Sequence, residues 1–71
     1  MKIGDIVTID GYSGFCYRSK ESVKDIITKS DENTGIPYDV IVLDGGQKFD
    51  SRTGFAITPP TAYHIEELLK S

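Results

Sequence analysis

The sequence lacks tryptophan, has a single cysteine and contains no long hydrophobic run. Because Cys16 has no second cysteine to pair with, an internal disulfide and a zinc site built from several cysteines are both excluded. The longest apolar runs, Val40–Leu43 and Leu68–Leu69, are far shorter than the ~20 residues that span a bilayer. The N-terminus also lacks the apolar core of a signal peptide. The sequence therefore predicts a cytoplasmic protein.

Clustered positive charge is also absent. The 71 residues include 8 basic and 11 acidic side chains, which give a net charge of -3. The two signs are interspersed, and this argues against a strong binder of phosphate backbones, which usually carries a basic face. Hydrophobic residues make up 38% and charged residues 27% of the chain, as is typical of globular proteins. A chain this short predicts one domain, residues 1–71, whose marginal stability rests on core packing.

Short apolar segments separated by turn residues predict a mainly β fold. The first predicted strand ends at Ile9. The other four span Val23–Lys29, Tyr38–Leu43, Gln47–Asp50 and Phe55–Thr58. Tyr38–Leu43 has apolar residues on both faces, which is typical of a central strand covered on both sides. After Pro59 and Pro60, the spacing of Ile65, Leu68 and Leu69 predicts a short C-terminal helical turn. Five short strands in so small a chain favour a closed or nearly closed barrel, which removes exposed strand edges.

The segment Ser19–Ser30 allows two interpretations. Val23, Ile26 and Ile27 have helical spacing, and Ser22 followed by Asp25 resembles a capping box. Against a helix, the segment is rich in β-branched residues, which favour strands, and it leads directly into a turn and another strand. A strand is the preferred interpretation. A helix at about residues 19–30, which would make the fold α+β, stays open as the alternative.

Two motifs make the chain resemble the SH3-like β-barrels. GDIVTI, at Gly4–Ile9, is similar to the Gly-Asp opening common in prokaryotic members. TGFAITPPTAYHIEEL, at Thr53–Leu68, is similar to the end of SH3 domains, with matching positions Gly54, Phe55, Pro60, Tyr63 and Ile65. The chain lacks the tryptophan and the Ala-Leu-Tyr-Asp-Tyr opening of the members that bind proline-rich peptides. The resemblance therefore implies a five-stranded barrel and the location of a surface, and does not imply recognition of proline-rich ligands.

The segment GYSGFCYRS, at Gly11–Ser19, is predicted to be a loop that carries three aromatic residues. These residues are Tyr12, Phe15 and Tyr17. Tyr12 and Tyr17 are expected to be at least partly exposed and to lie on the same side as Pro60 and Tyr63. Tyrosine suits binding because it combines a large area, few rotatable bonds and a hydroxyl group. These five residues are the predicted partner-binding site. The alternative interpretation is that the aromatic side chains only cover an open barrel end.

The leading functional hypothesis is a non-enzymatic module, an adaptor, regulator or inhibitor that binds another protein, such as occurs in bacteria and their phages. The alternative is a nucleic-acid-binding barrel, because Arg18, Lys20 and Lys24 flank the aromatic segment. Catalysis by Cys16 and His64 is not predicted, since a single residue of each type far apart in sequence carries little weight. No metal site and no cofactor are predicted.

Overall fold

A computed structural model describes residues 1–12, 14–59 and 61–69, which form a curled antiparallel sheet. Its elements are β1 (Ile6–Tyr12), β2 (Cys16–Ser30), β3 (Pro37–Leu43), β4 (Lys48–Asp50), β5 (His64–Ile65) and α1 (Glu66–Leu69). The strand order is β4-β3-β2-β1-β5. The predicted mainly β fold with a short C-terminal helical turn is confirmed. The alternative helix at residues 19–30 is wrong, because that segment lies within β2.

The longest strand, β2, takes part in both halves of the sheet. It pairs with β1 as far as Ser22 and with β3 from Val23 onwards. A register shift between Val23 and Asp25 marks an irregularity at the changeover. Such bulges bend a strand and increase its twist. The bend lets one strand of 15 residues curl the sheet into a half-barrel.

The concave face of the sheet holds the core. Its buried members are Val7, Ile9, Val23, Ile41, Leu43, Phe49, Ala56, Tyr63 and Ile65. β3 lies between β2 and β4, as expected of a central strand. Successive side chains alternate between the two faces of a strand, so Ile41 and Leu43 enter the core while Tyr38, Val40 and Val42 take the opposite face. Val40 is buried there as well.

The segment at residues 54–57 links the two ends of the sheet. The sequence predicted a strand at Phe55–Thr58, but the structure has only two isolated bridges, Phe49 to Ala56 and Phe55 to His64. The Ile57 N–H donates to the Lys48 carbonyl and the Ala56 N–H donates to the Tyr63 carbonyl, each at 2.8 Å. Pairing ends soon afterwards because Pro59 has no N–H to donate. The outer edge of β4 is thereby covered.

The chain around Tyr63 differs from the prediction in one respect. The resemblance to SH3 domains implied that Tyr63 and Ile65 lie on a helical turn, whereas His64–Ile65 forms β5 and the helical turn begins at Glu66. The carboxylate of Glu67 accepts hydrogen bonds from the backbone N and from Oγ1 of Thr8, at 2.8 and 3.0 Å. It therefore satisfies the β1 amide that a longer β5 would have bonded.

Across the described residues, no helix has the length and apolar character needed to cross a membrane.

Candidate functional site

The segment Gly11–Ser19, predicted as a loop, is the end of the β1–β2 hairpin. β1 continues to Tyr12, which pairs with Cys16 at the start of β2. The connection is short because Gly14 adopts a φ of 83°, which glycine tolerates without steric cost and which tight hairpins require. The turn signals of the sequence therefore mark only the short connection between Tyr12 and Cys16, and not a loop of nine residues.

Two aromatic side chains stand exposed at this end of the hairpin. Tyr12 is 64% exposed and Phe15 is 63% exposed, and we call this pair the aromatic tip. Phe15 lies in the turn itself, and Tyr12 is the last residue of β1. Both were predicted site residues. The hairpin backbone holds them because β1 and β2 are paired through the full length of β1.

Tyr17 and Tyr63 belong to the core side of the hairpin instead. Tyr17 pairs with Gly11, so its side chain alternates to the face opposite that of Tyr12. Its ring stacks on the ring of Tyr63, with centroids 4.9 Å apart and planes at 9°, and Tyr63 is only 8% exposed. The predicted single surface is thus divided between two faces. Pro60, the fifth predicted site residue, lies outside the described residues.

Gly11 makes this stack possible. A Cβ atom at this position would lie 2.5 Å from Cδ1 and 2.9 Å from Cα of Tyr63, closer than any real contact. Tyr63 therefore packs directly against the backbone of β1. Sequence reasoning took Gly11 as a loop residue and missed this role. The available signal is a glycine that follows a run of strand-forming residues, since glycine inside a strand often marks close approach of another group.

The outer face of the hairpin continues across β5 towards Phe55. Phe55 pairs with His64, His64 with Asp10, and Asp10 with Arg18, which places these side chains in one row on the face that carries Tyr12. The rings of Phe55 and His64 are tilted by 57° with centroids 5.6 Å apart, and Phe55 is 44% exposed. Sequence reasoning did not include Phe55 or Asp10 in the site, because it missed the pairing of β5.

The three basic residues of the nucleic-acid alternative do not form a cluster of unpaired charges. Arg18 donates from Nη1 to Asp10 Oδ2 and from Nη2 to Glu66 Oε2, at 2.8 Å each. These carboxylates, Glu66 first, raise the pKa of the Arg18 guanidinium above its usual value. Lys20 is exposed on the same face, and Lys24 is exposed at the irregularity of β2. Of the three cations, Arg18 is therefore already paired with carboxylates.

Cys16 and His64 both lie on this outer face, on strands that flank β1. Cys16 is an exposed free thiol opposite Tyr12. His64 is half-buried opposite Asp10, and its ring contacts Phe55. Within residues 1–12, 14–59 and 61–69, no hydrogen bond joins the thiol to the imidazole. The geometry describes a surface thiol and a histidine packed against an aromatic ring.

A polar network occupies the opposite end of the sheet, around Arg52. Arg52 donates to Oδ2 of Asp31 at 2.7 Å and to Oδ2 of Asp50 at 2.8 Å. Its guanidinium carbon also lies 3.7 Å from the centroid of the Tyr38 ring, within cation–π range. Oδ1 of Asp31 in addition accepts backbone N–H bonds in its own turn. The network ties the β2–β3 turn to the turn that follows β4.

This network predicts a loss of stability in acid. The backbone N–H groups of Asn33 and Thr34, and then Arg52, lower the pKa of Asp31 to about 2, and hydrogen bonds from Arg52 lower the pKa of Asp50. A lowered pKa contributes stability above the unfolded value of about 4, and this contribution is lost as pH falls through the folded value. We expect the melting temperature to fall between about pH 5 and pH 2.

Thermal unfolding followed by circular dichroism across this pH range provides the test. Asp31→Asn keeps an oxygen for the turn N–H groups but cannot titrate, so its melting temperature should depend less on pH. Asp44→Asn, an exposed control outside the network, should follow the wild type. A pH dependence in Asp31→Asn as steep as that of the wild type would contradict the assignment.

Comparisons with protein-family models, with curated proteins and with solved structures gave no match. The function therefore has to be argued from the surface itself. The class that fold and surface define is a small, mainly β half-barrel with an aromatic tip on one hairpin.

Proposed function

We propose that this protein is a non-enzymatic interaction module, a small adaptor, regulator or inhibitor that binds another protein through the aromatic tip. The observation that carries the proposal is the exposure of Tyr12 and Phe15, 64% and 63%, at the end of one paired hairpin. Exposed aromatic side chains on an ordered element suit binding, because they bury a large area on contact and lose little rotamer freedom. The Tyr17–Tyr63 stack supports the same hairpin from its core side.

The outer face around the tip resembles a small interface in its chemistry. Phe55 adds a third exposed ring on the face of Tyr12, and the ion pairs of Arg18 with Asp10 and Glu66 border it. Interfaces commonly combine such an apolar centre with a polar rim. The partner proposed is a protein that offers an apolar pocket to the tip.

The proposal also includes an SH3-like architecture and a cytoplasmic location. An SH3-like architecture is supported by the curled five-stranded sheet and by the segment at residues 54–57 that links its ends. A cytoplasmic location is supported by the exposed free thiol of Cys16, because unpaired surface thiols persist in reducing compartments.

The nucleic-acid alternative is the less favoured one, because the carboxylates of Asp10 and Glu66 already neutralise Arg18. Titration of labelled single-stranded RNA at about 50 mM salt should show no binding. Binding that weakens steeply between about 50 and 200 mM salt would instead support the alternative, since released counterions produce that dependence.

The aromatic tip is tested by the double variant Tyr12→Ser/Phe15→Ser. Recovery of partner proteins from a lysate, quantified by mass spectrometry, should fall at least about tenfold, the effect of losing ~1.4 kcal/mol of binding free energy. Stability should change little, because both side chains are exposed. The matched control is Ile3→Ser/Ile36→Ser, which removes two apolar side chains of nearly equal exposure, 62% and 64%, away from the tip. This control should retain the partner.

Two results would contradict the proposal. If the wild type reproducibly recovers no protein from the lysate, no partner-binding role stands. If the tip variant and the control recover the same proteins equally well, the partner binds elsewhere on the surface.

A further inference from the structure

The second half of β2 has an edge that no described strand covers. The direction of the backbone groups on β3 shows which groups of β2 point towards this edge. The Leu43 N–H donates to the Gln47 carbonyl, and the Asp39 carbonyl accepts from the Ser51 N–H, each at 3.0 Å. Both bonds lie on the β4 side of β3. Because backbone groups alternate along an antiparallel ladder, Tyr38, Val40 and Val42 must direct theirs towards β2.

The register then fixes which β2 groups point outwards. Val42 pairs with Asp25, Val40 with Ile27, and Tyr38 with Lys29, so those three β2 residues bond to β3. The intervening residues, Ile26, Thr28 and Ser30, direct their backbone groups away from β3. An independent contact agrees, since the Ile26 N–H donates to Oδ1 of the adjacent Asp25 at 2.8 Å. Among the described residues that precede β1, Gly4 and Asp5 make backbone hydrogen bonds to β2, and both bonds are to Val23.

The side chains along this edge of one copy complement those along the same edge of a second copy. Asp25, Ile27 and Lys29 are exposed on the face opposite the core. If two copies pair antiparallel with Ile27 at the two-fold axis, Asp25 of each copy lies opposite Lys29 of the other. The same register places Ile26 opposite Thr28, so the outward backbone groups of both residues face each other and can bond.

We propose that two copies of this chain associate through this edge and form a symmetric dimer with a continuous sheet across the two-fold axis. Opposite charges directly across an antiparallel pair are favourable and like charges are not. Each dimer gains two reciprocal Asp25–Lys29 pairs and one Ile27–Ile27 contact. A surface that complements itself in this way suits a symmetric interface. The proposal concerns a surface separate from the aromatic tip and does not depend on the proposed function.

The charges on the first half of β2 do not suit pairing between two copies of the chain. Its residues Arg18 and Lys20 are both exposed. Symmetric pairing centred on Arg18 would place two arginines opposite each other, and pairing centred on Ser19 would place Arg18 opposite Lys20. Either register brings like charges together. Self-association through β2 is therefore favoured at its second half.

The dimer is expected to be weak and reversible. In the single chain Asp25 already caps the Ile26 N–H, a device that blunts strand edges. On pairing, the Ile26 N–H would bond to the Thr28 carbonyl of the second copy, and the Asp25 carboxylate would turn to Lys29 of that copy. The Ile26 N–H therefore has a partner in both states, and the position of the equilibrium depends on concentration.

Sedimentation equilibrium at protein concentrations up to about 1 mM measures the association. The wild type should dimerise. Asp25→Lys and Lys29→Asp should each weaken the dimer at least about tenfold, and the double variant Asp25→Lys/Lys29→Asp, which restores opposite charges, should recover it. Lys20→Asp, a charge reversal on the other half of β2, should leave it unchanged. Circular dichroism should show that every variant is folded.

Amide hydrogen exchange locates the interface. Exchange at Thr28 should slow as concentration rises, whereas the amides of Ile27 and Lys29, already bonded to β3, should not change. Thr28→Pro removes one outward N–H and should give a monomer. The proposal is overturned by a wild type that stays monomeric at about 1 mM, by single charge reversals without effect, or by a double variant that fails to recover the dimer.

Discussion

Replacement of Tyr63 by alanine is expected to destabilise the protein by about 3–5 kcal/mol, the usual cost of truncating a buried aromatic side chain. Tyr63 is 8% exposed, its ring stacks on Tyr17 at 4.9 Å, and it packs against the backbone at Gly11. The change removes the stack and leaves a cavity beside β1. Since small domains have about 0.05–0.15 kcal/mol of stability per residue, this loss is a large part of the total.

Urea unfolding of matched variants measures the effect. Tyr12→Ala removes an equal side chain from an exposed position and should change the free energy of unfolding by less than about 0.5 kcal/mol. Tyr63→Phe keeps the ring and should lose far less than Tyr63→Ala, which separates ring packing from the hydroxyl group. A Tyr63→Ala protein as stable as Tyr12→Ala would show that the stack is not part of the core.

This contrast bears on the function as well as on the fold. The hairpin divides its aromatic residues between two tasks: Tyr17 and Tyr63 hold the hairpin to the core, while Tyr12 and Phe15 remain exposed. A loss of partner binding in Tyr17 or Tyr63 variants would therefore be ambiguous, because both changes alter stability. Only variants of the exposed pair test binding by itself.

Much of the sheet could be predicted from local patterns. Residues 38–43 form most of β3 because their apolar residues on both faces fit a central strand, and turn residues bound the strand. The turn before it was also predicted, and there Gly35 has a φ of 71°, a conformation that few other residues adopt. The β-branched run in residues 23–29 favoured a strand over a helix, and it forms the second half of β2. Each of these features depends on residues close in sequence.

The features that the sequence did not predict depend on pairing at a distance. β5 has two residues, too few for any periodicity, and it exists because β1 offers it a partner. Which face carries Tyr17 depends on the residue at which the hairpin turns, and a shift of one residue would move every side chain of the strand to the other face. The sequence therefore marked the aromatic residues of this hairpin but did not predict their division between core and surface.

Gly11→Ala should destabilise the protein by about 1–3 kcal/mol, the usual cost of overpacking, although alanine is better suited than glycine to a strand interior. The added Cβ would lie 2.5 Å from Cδ1 and 2.9 Å from Cα of Tyr63, and a backbone atom cannot rotate away. Gly45→Ala is the control, because its Cβ would meet only the side-chain ends of Gln47 and Glu21, at 2.7 Å, which can move.

A double-mutant cycle measured by urea unfolding connects this effect to Tyr63. In a Tyr63→Ala background the Cδ1 atom is gone, so Gly11→Ala should cost less than it does in the wild type, and the difference is the coupling between the two residues. The Gly45→Ala control should show no such coupling. If Gly11→Ala is neutral or stabilising in the wild type, Tyr63 does not cross β1 at this distance, and the aromatic stack does not fix the hairpin that carries Tyr12 and Phe15.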